Sequence, residues 1–162
     1  MVTTLAARHA AELAGAVPDP ELPMLTLAEL GVLAEVEQDG PTVTVWLTPT
    51  YSGCPAVAEM AADVRHRLER AGFTEVEVRL RLDPPWSTDL ITPAGRAKLA
   101  AAGIAPPGPA GLLRLGRTRL AVHCPQCGSG DTEELSRFGS TACKALWRCR
   151  ACREPFERMK EI

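Results

Sequence analysis

The chain has 162 residues and a net charge of -2; 46% of it is hydrophobic and 23% charged. This is the composition of a globular protein, one domain or a domain plus a small appendage, long enough to bury a core that must be aliphatic because only 4% of residues are aromatic. The near-neutral charge opposes a nucleic-acid footprint, and no apolar run approaches the roughly 18 residues of a membrane span. Arg8, His9 and Glu12 interrupt the stretch that a signal peptide would keep apolar. The expectation is a cytoplasmic protein with neither nucleic acid nor membrane as its partner.

Residues 4–16 are rich in Ala and Leu and predict a helix with Leu5, Ala6, His9, Leu13 and Ala14 on one face. The prolines of Asp19-Pro20-Glu21-Leu22-Pro23 end it. Thr26 can cap a short turn through Leu30 that Gly31 closes. A hairpin follows: Val32–Glu37 and Thr42–Thr48 flank an Asp39-Gly40 turn, and Val43, Val45 and Leu47 alternate with Thr42, Thr44, Trp46 and Thr48. The loop Thr48-Pro49-Thr50-Tyr51-Ser52-Gly53 leads into a helix from about Cys54 to Ala71, with Val57, Met60, Ala61, Val64 and Leu68 on its stripe. Strict alternation of Val76, Val78, Leu80 and Leu82 with charged residues predicts a third strand, which Asp83-Pro84-Pro85 breaks. A helix is expected from Thr92 or Pro93 to Ala102. The Pro/Gly stretch 105–111 reads as a linker, and short strands are expected at 132–138, 144–148 and 155–160. The fold class is therefore α/β (α+β): an N-terminal domain over 1–104 with a short mixed sheet and two or three helices, and a second domain over 112–162.

Cysteine is distributed unevenly. Cys124-Pro-Gln-Cys127 and Cys149-Arg-Ala-Cys152 are two Cys-x-x-Cys turns with 21 residues between them. Each turn sets two thiolates on one ion, and two turns complete a tetrahedral sulfur site. The segment reads as a four-cysteine zinc ribbon whose metal is structural, stapling a stretch too small for its own core. A redox Cys-x-x-Cys needs only one pair, between a strand and a helix. His123 abuts Cys124, but four cysteines already fill the site. From Arg119 to Ile162 eight Lys/Arg face six Asp/Glu, too small a surplus to bind phosphates strongly.

Cys143 is a fifth thiol with three readings open: a spare ligand, a ligand to a transient iron–sulfur centre, or a buried small residue. Cys54 stands alone, where a Gly-ended loop meets a helix start. The free N–H groups there lower a thiol's pKa, which makes Cys54 a candidate nucleophile or metal ligand; the alternative is a small apolar side chain facing the core. His9, His66 and His123 offer no base and orienter for a Cys–His hydrolase. Asp19 and Glu21 are polar ligands, surface anchors or turn caps. Trp46 and Trp86 are large apolar groups in polar settings, and an exposed Trp86 would mark a partner contact.

The runs D19-P-E-L-P23, L27 to G31 and T48-P-T-Y-S-G-C-P55 resemble the small domain of iron–sulfur cluster assembly proteins, a group that includes the SUF-associated T protein. That resemblance implies that Cys54 is the functional thiol and that Asp19, Glu21, Thr50 and Ser52 lie on loops beside it. P84-P-W-S-T-D-L-I-T92, G103-I-A-P-P107, C124-P-Q-C and F138-G-S-T-A-C-K-A-L-W-R-C149 resemble the phenylacetate-degradation D proteins over nearly the whole chain. This second resemblance implies an accessory or maturation factor, not an enzyme, beside the phenylacetyl-CoA ring epoxidase of aerobic phenylacetate degradation. Its partners would be the epoxidase components, above all the reductase that carries flavin and an iron–sulfur cluster. Its cofactors would be structural zinc and a transient cluster at Cys54, with Cys143 or the Cys54 of a second copy completing the ligand set. A structural component of the oxygenase complex and a nucleic-acid-binding ribbon are the alternative readings.

Overall fold

The structure is a computed structural model that describes residues 5–51, 53–109 and 121–162. They form two compact units: one runs to Trp86 and includes Leu90–Thr92, and the other comprises Ser87–Asp89 and Pro93–Ile162.

The first unit opens with helix α1 (Leu5–Gly15) and the single-turn helix α2 (Leu27–Leu30). Thr26 and Glu29 form a reciprocal capping box on α2: each side chain takes the other's backbone N–H. Strands β1 (Leu33–Asp39) and β2 (Thr42–Leu47) make the expected hairpin; Gly40 occupies its turn at φ 56. Helix α3 (Val57–Arg70) then crosses over to β3 (Glu75–Leu80), which pairs parallel to β2 and gives the sheet order β1-β2-β3. Val43, Val45 and Leu47 bury one face of β2 against the helices, and Met60, Val64 and Leu68 bury the predicted stripe of α3.

The other face of the sheet is charged. Trp46 lies on it, with the guanidinium groups of Arg79 and Arg81 5.7 and 5.0 Å from its ring, and donates through Nε1 to Glu37 at 3.0 Å. Arg81 also pairs with Glu35 at 2.8 Å. This polar surround lets a tryptophan occupy a solvent-side position.

Three expectations change. The buried face of α1 is Ala7, Ala10 and Ala14, while Leu5 and His9 are exposed, because close packing against β1 and α3 selects the small side chains over the large ones. Leu80 and Leu82 alternate correctly but are 48% and 61% exposed, since β3 is an outer strand. Trp86 is not a surface contact: it is 3% exposed and its indole N–H donates to the Leu30 carbonyl at 3.0 Å. Its polar tip has an internal acceptor, so the ring can be buried.

The second unit contains α4 (Pro93–Ala101), the two-residue strand β4 (Ile104–Ala105), β5 (Thr132–Ser136), β6 (Lys144–Cys149) and β7 (Pro155–Met159). The sheet order is β4-β7-β6-β5, antiparallel except for the β4/β7 edge. The sequence places α4 in the N-terminal domain and starts a linker at 105, whereas α4 and β4 group with the ribbon strands. Two residues are too few to show a strand period, and β4 exists through its pairing with β7. Residues 110–120, which include the end of that linker, lie outside the described residues. Ala105, Val122, Ala145, Trp147 and Phe156 form an apolar cluster that includes Cys124 and Cys149. Elsewhere in this unit, buried Lys144 pairs with Glu157 at 2.9 Å.

Gly31 closes α2 at φ 75, and a Cβ there would stand 2.6 Å from Cβ and 2.7 Å from the carbonyl oxygen of Leu90. Gly31→Ala should therefore destabilise the first unit by about 2–4 kcal/mol through left-handed strain plus overlap. Denaturant unfolding checks this.

A four-cysteine metal centre and a buried thiol

The first Cys-x-x-Cys turn is closed by the Gly128 amide donating to the Cys124 carbonyl at 2.8 Å, and Gly128 takes φ 75 to make that turn. The second follows β6, with the Cys149 amide donating to the Glu154 carbonyl at 3.0 Å and Arg153 at φ 66. These turns bring the sulfurs of Cys124, Cys127, Cys149 and Cys152 within 4.8 Å of one another. Cys124 and Cys152 are 3.7 Å apart and Cys127 and Cys149 3.6 Å apart. A tetrahedral ion with metal–sulfur bonds of about 2.3 Å sets its sulfurs about 3.8 Å apart, so the donor set and its spacing both fit.

Charge supports the same conclusion. The Cys152 amide, 3.5 Å from Cys149 Sγ, and the neighbouring thiols bring the Cys149 thiol down to about 7 despite its burial. Cys152 is drawn down by the Glu154 amide, but burial and the other three sulfurs outweigh it and push its thiol up to about 12. Four thiols so close cannot all ionise until a cation compensates them. His123 is engaged elsewhere, with Nδ1 3.1 Å from the Gly128 carbonyl. Cys143 is not one of the four. It is 3% exposed, its sulfur lies 3.1 Å from Thr141 Oγ1, and its carbonyl accepts from the Lys160 amide.

Cys54 is built differently. It stands in a turn before α3: its amide donates to the Tyr51 carbonyl, its carbonyl accepts from Val57, and the cap position of α3 belongs to Ala56. Cys54 is 8% exposed, and Thr48 and Thr50 of the preceding loop are buried as well. Ser52 lies outside the described residues. The expected lowering of this thiol's pKa is not found. Burial raises it, the Ala56 amide opposes, Glu21 raises it further, the Tyr51 side chain opposes, and Asp19 raises it again. The expected exposed helix start is instead a covered turn whose thiol two carboxylates act on.

Those carboxylates come from the loop after α1. A bridge between Pro18 and Thr26 pinches it shut, and Asp19 Oδ1 accepts from the Glu21 and Leu22 amides at 2.9 and 2.7 Å. Asp19 is thus a buried turn cap. Burial raises its carboxyl pKa, the two amides oppose, and nearby Glu59 raises it further. The sequence reading missed Tyr51 and Glu59 as members of this group. The place of Tyr51 three residues before the cysteine was its one available signal.

Residues 15–83 match the family described as iron-sulfur cluster assembly protein, and residues 109–160 match the PaaD zinc beta ribbon domain. The chain is 35% identical over 79 residues to an "Fe-S protein maturation auxiliary factor" of Porphyromonas gingivalis, covering 47% of this chain and 73% of that one. Among solved structures, a domain of unknown function from Bacillus anthracis aligns with TM-score 0.54 and 27% identity, over 58% of this chain and 91% of the other. A conserved hypothetical protein from Thermotoga maritima aligns with TM-score 0.50 and 28% identity, over 61% and 98%. Fold and cysteine centre thus define an iron–sulfur-assembly-type domain joined to a metal-binding zinc ribbon. Over 146 residues, 90% of this chain and 87% of the relative, the chain is 47% identical to an Escherichia coli K12 protein named as a component of the "Putative 1,2-phenylacetyl-CoA epoxidase". It belongs to the PaaD family.

Two measurements test these sites. Cys149→Ser should lower bound metal from about one ion per chain to a small fraction and lower the melting temperature, as read by elemental analysis and calorimetry. With the ribbon metal-loaded, Cys54 should alkylate more slowly than an unfolded cysteine at neutral pH and accelerate only above its ordinary value of 9.0, because its folded pKa is raised. Glu21→Gln should lower that pKa and speed alkylation roughly two- to fivefold, read by mass spectrometry.

Proposed function

We propose that this protein is a non-catalytic maturation factor of the phenylacetyl-CoA epoxidase system, helping to insert an iron–sulfur cluster or its iron into the flavin-containing reductase. The observation that carries this reading is the placing of Cys54, a buried thiol whose pKa burial, Glu21 and Asp19 raise, inside the segment that matches iron–sulfur assembly proteins. Cluster iron demands thiolates, and a thiol kept protonated by burial and carboxylates can take up its charge only when a cation arrives. Iron or cluster is cargo here, held briefly and passed on. One thiol cannot hold a cluster, so the ligand set is completed by Cys143, a second chain or the target.

In the ribbon, Cys124, Cys127, Cys149 and Cys152 hold zinc. All-sulfur tetrahedral geometry suits it, and a site with no open position gives the ion a structural role. The ribbon presents the target protein, and the working compartment is the cytoplasm, where thiols stay reduced. Among the described residues no helix is long and apolar enough to cross a membrane. A second reading, a standing structural component of the epoxidase, is favoured by the name of the Escherichia coli relative.

The two readings separate in one experiment. Wild type and Cys54→Ser are purified anaerobically, their zinc, iron and acid-labile sulfide counted, and each is added to the apo-reductase with iron and sulfide. The maturation reading expects zinc in both, iron and sulfide only in the wild type, and reductase cluster loading reduced at least tenfold by the substitution. Equal loading by both overturns it; co-elution with the epoxidase at fixed stoichiometry then supports the structural component.

A further inference from the structure

We propose that β3 pairs antiparallel with the β3 of a second copy, across a two-fold axis through Val78, so that two three-stranded sheets become one. This inference is independent of the cluster-handling reading.

Among the described residues β3 is an outer strand, bonded to β2 on its inner side. The Arg81 amide donates inward to the Leu47 carbonyl at 2.9 Å. With a period of two, the odd-numbered residues face β2, and the N–H and C=O groups of Val76, Val78 and Leu80 face the open edge. Natural sheets guard such edges with proline, lysine or a bulge. Between Glu75 and Leu80 there is neither proline nor lysine, and the register with β2 runs without a shift. Leu80 is 48% exposed on the side that carries Val76 and Val78, both half-buried.

The pattern Glu75-Val76-Glu77-Val78-Arg79-Leu80-Arg81 is self-complementary when reversed. Directly opposed residues in an antiparallel pair share a face, so a two-fold axis must pass through a residue. Centred on Val78, the axis sets Glu77 against Arg79 of the second copy, Glu75 against Arg81, Val76 against Leu80, and Val78 against itself. Centring on Glu77 or Arg79 opposes that residue to its own copy. Centring on Val76 opposes Glu75 to Glu77, and centring on Leu80 opposes Arg79 to Arg81. The Val78 register alone opposes every charge to its opposite, and it forms about six main-chain hydrogen bonds from groups already turned outward. Arg79 and Glu77 already pair within the strand at 2.5 Å on a solvent-facing surface, so the second copy extends this pair into a four-charge cluster.

Sedimentation of the full chain across micromolar concentrations tests the pairing. The wild type should show a monomer–dimer equilibrium. Arg79→Glu and Glu77→Arg each create two like-charge oppositions and should each weaken the dimer about tenfold. The double variant carrying both changes should restore it, and mixing the two single variants should give a heterodimer stronger than either homodimer. Leu80→Lys, at an exposed position, provides a second disruption if a charge reversal disturbs folding, which a melting curve monitors. A wild type that stays monomeric throughout overturns the proposal. So does a dimer indifferent to Arg79→Glu and Leu80→Lys, or one that the double variant fails to restore.

Discussion

Four thiols within 4.8 Å of one another cannot carry their charges unaided, and the second unit is built around that constraint. Cys124 and Cys149 belong both to the metal centre and to the apolar cluster with Trp147 and Phe156. Removing the ion therefore does more than open a clasp. It leaves Cys124 and Cys149 without their shared ion inside the buried cluster that holds the ribbon strands together, so metal binding and folding form one equilibrium.

The first unit solves the opposite problem with its own cysteine. Burial raises the pKa of the Cys54 thiol, and two carboxylates raise it further. An activated nucleophile needs the reverse environment. On the proposed reading, a shielded thiol suits a ligand that engages only when a metal cation enters, and Asp19 and Tyr51 beside it sit on loops held by hydrogen bonds to backbone amides. On that reading the two units use sulfur differently.

Much of this was legible in the sequence. The hairpin and α3 follow from period and turn residues, because in those elements one pattern dominates. The grouping of the four ribbon cysteines follows from spacing alone. The misreadings share a cause: sequence shows which side chains could be buried, not what covers them. Leu5 and Leu13 outrank alanine in hydrophobicity, yet α1 turns its alanines inward because the sheet approaches closely. Trp86 looked like a surface contact because its acceptor, the Leu30 carbonyl, is 56 residues away. Cys54 looked like a helix start because the turn over residues 54–56 that precedes α3 carries no sequence mark, and the carboxylates that raise its pKa arrive from a loop more than 30 residues earlier.

The order of strands in the second sheet bears on synthesis. β7, made after β4, β5 and β6, lies between β4 and β6, and the Ile162 carbonyl accepts from the Thr88 amide. An inner strand that emerges after both of its neighbours leaves them unpaired on that side until it has been made, whereas the residues of the first unit are complete once Thr92 has left the ribosome. During that interval the ribbon cysteines are made in two instalments, Cys124 and Cys127 before Cys149 and Cys152. The nascent chain therefore offers half a metal site, open to any passing ion, until the second pair arrives to close it.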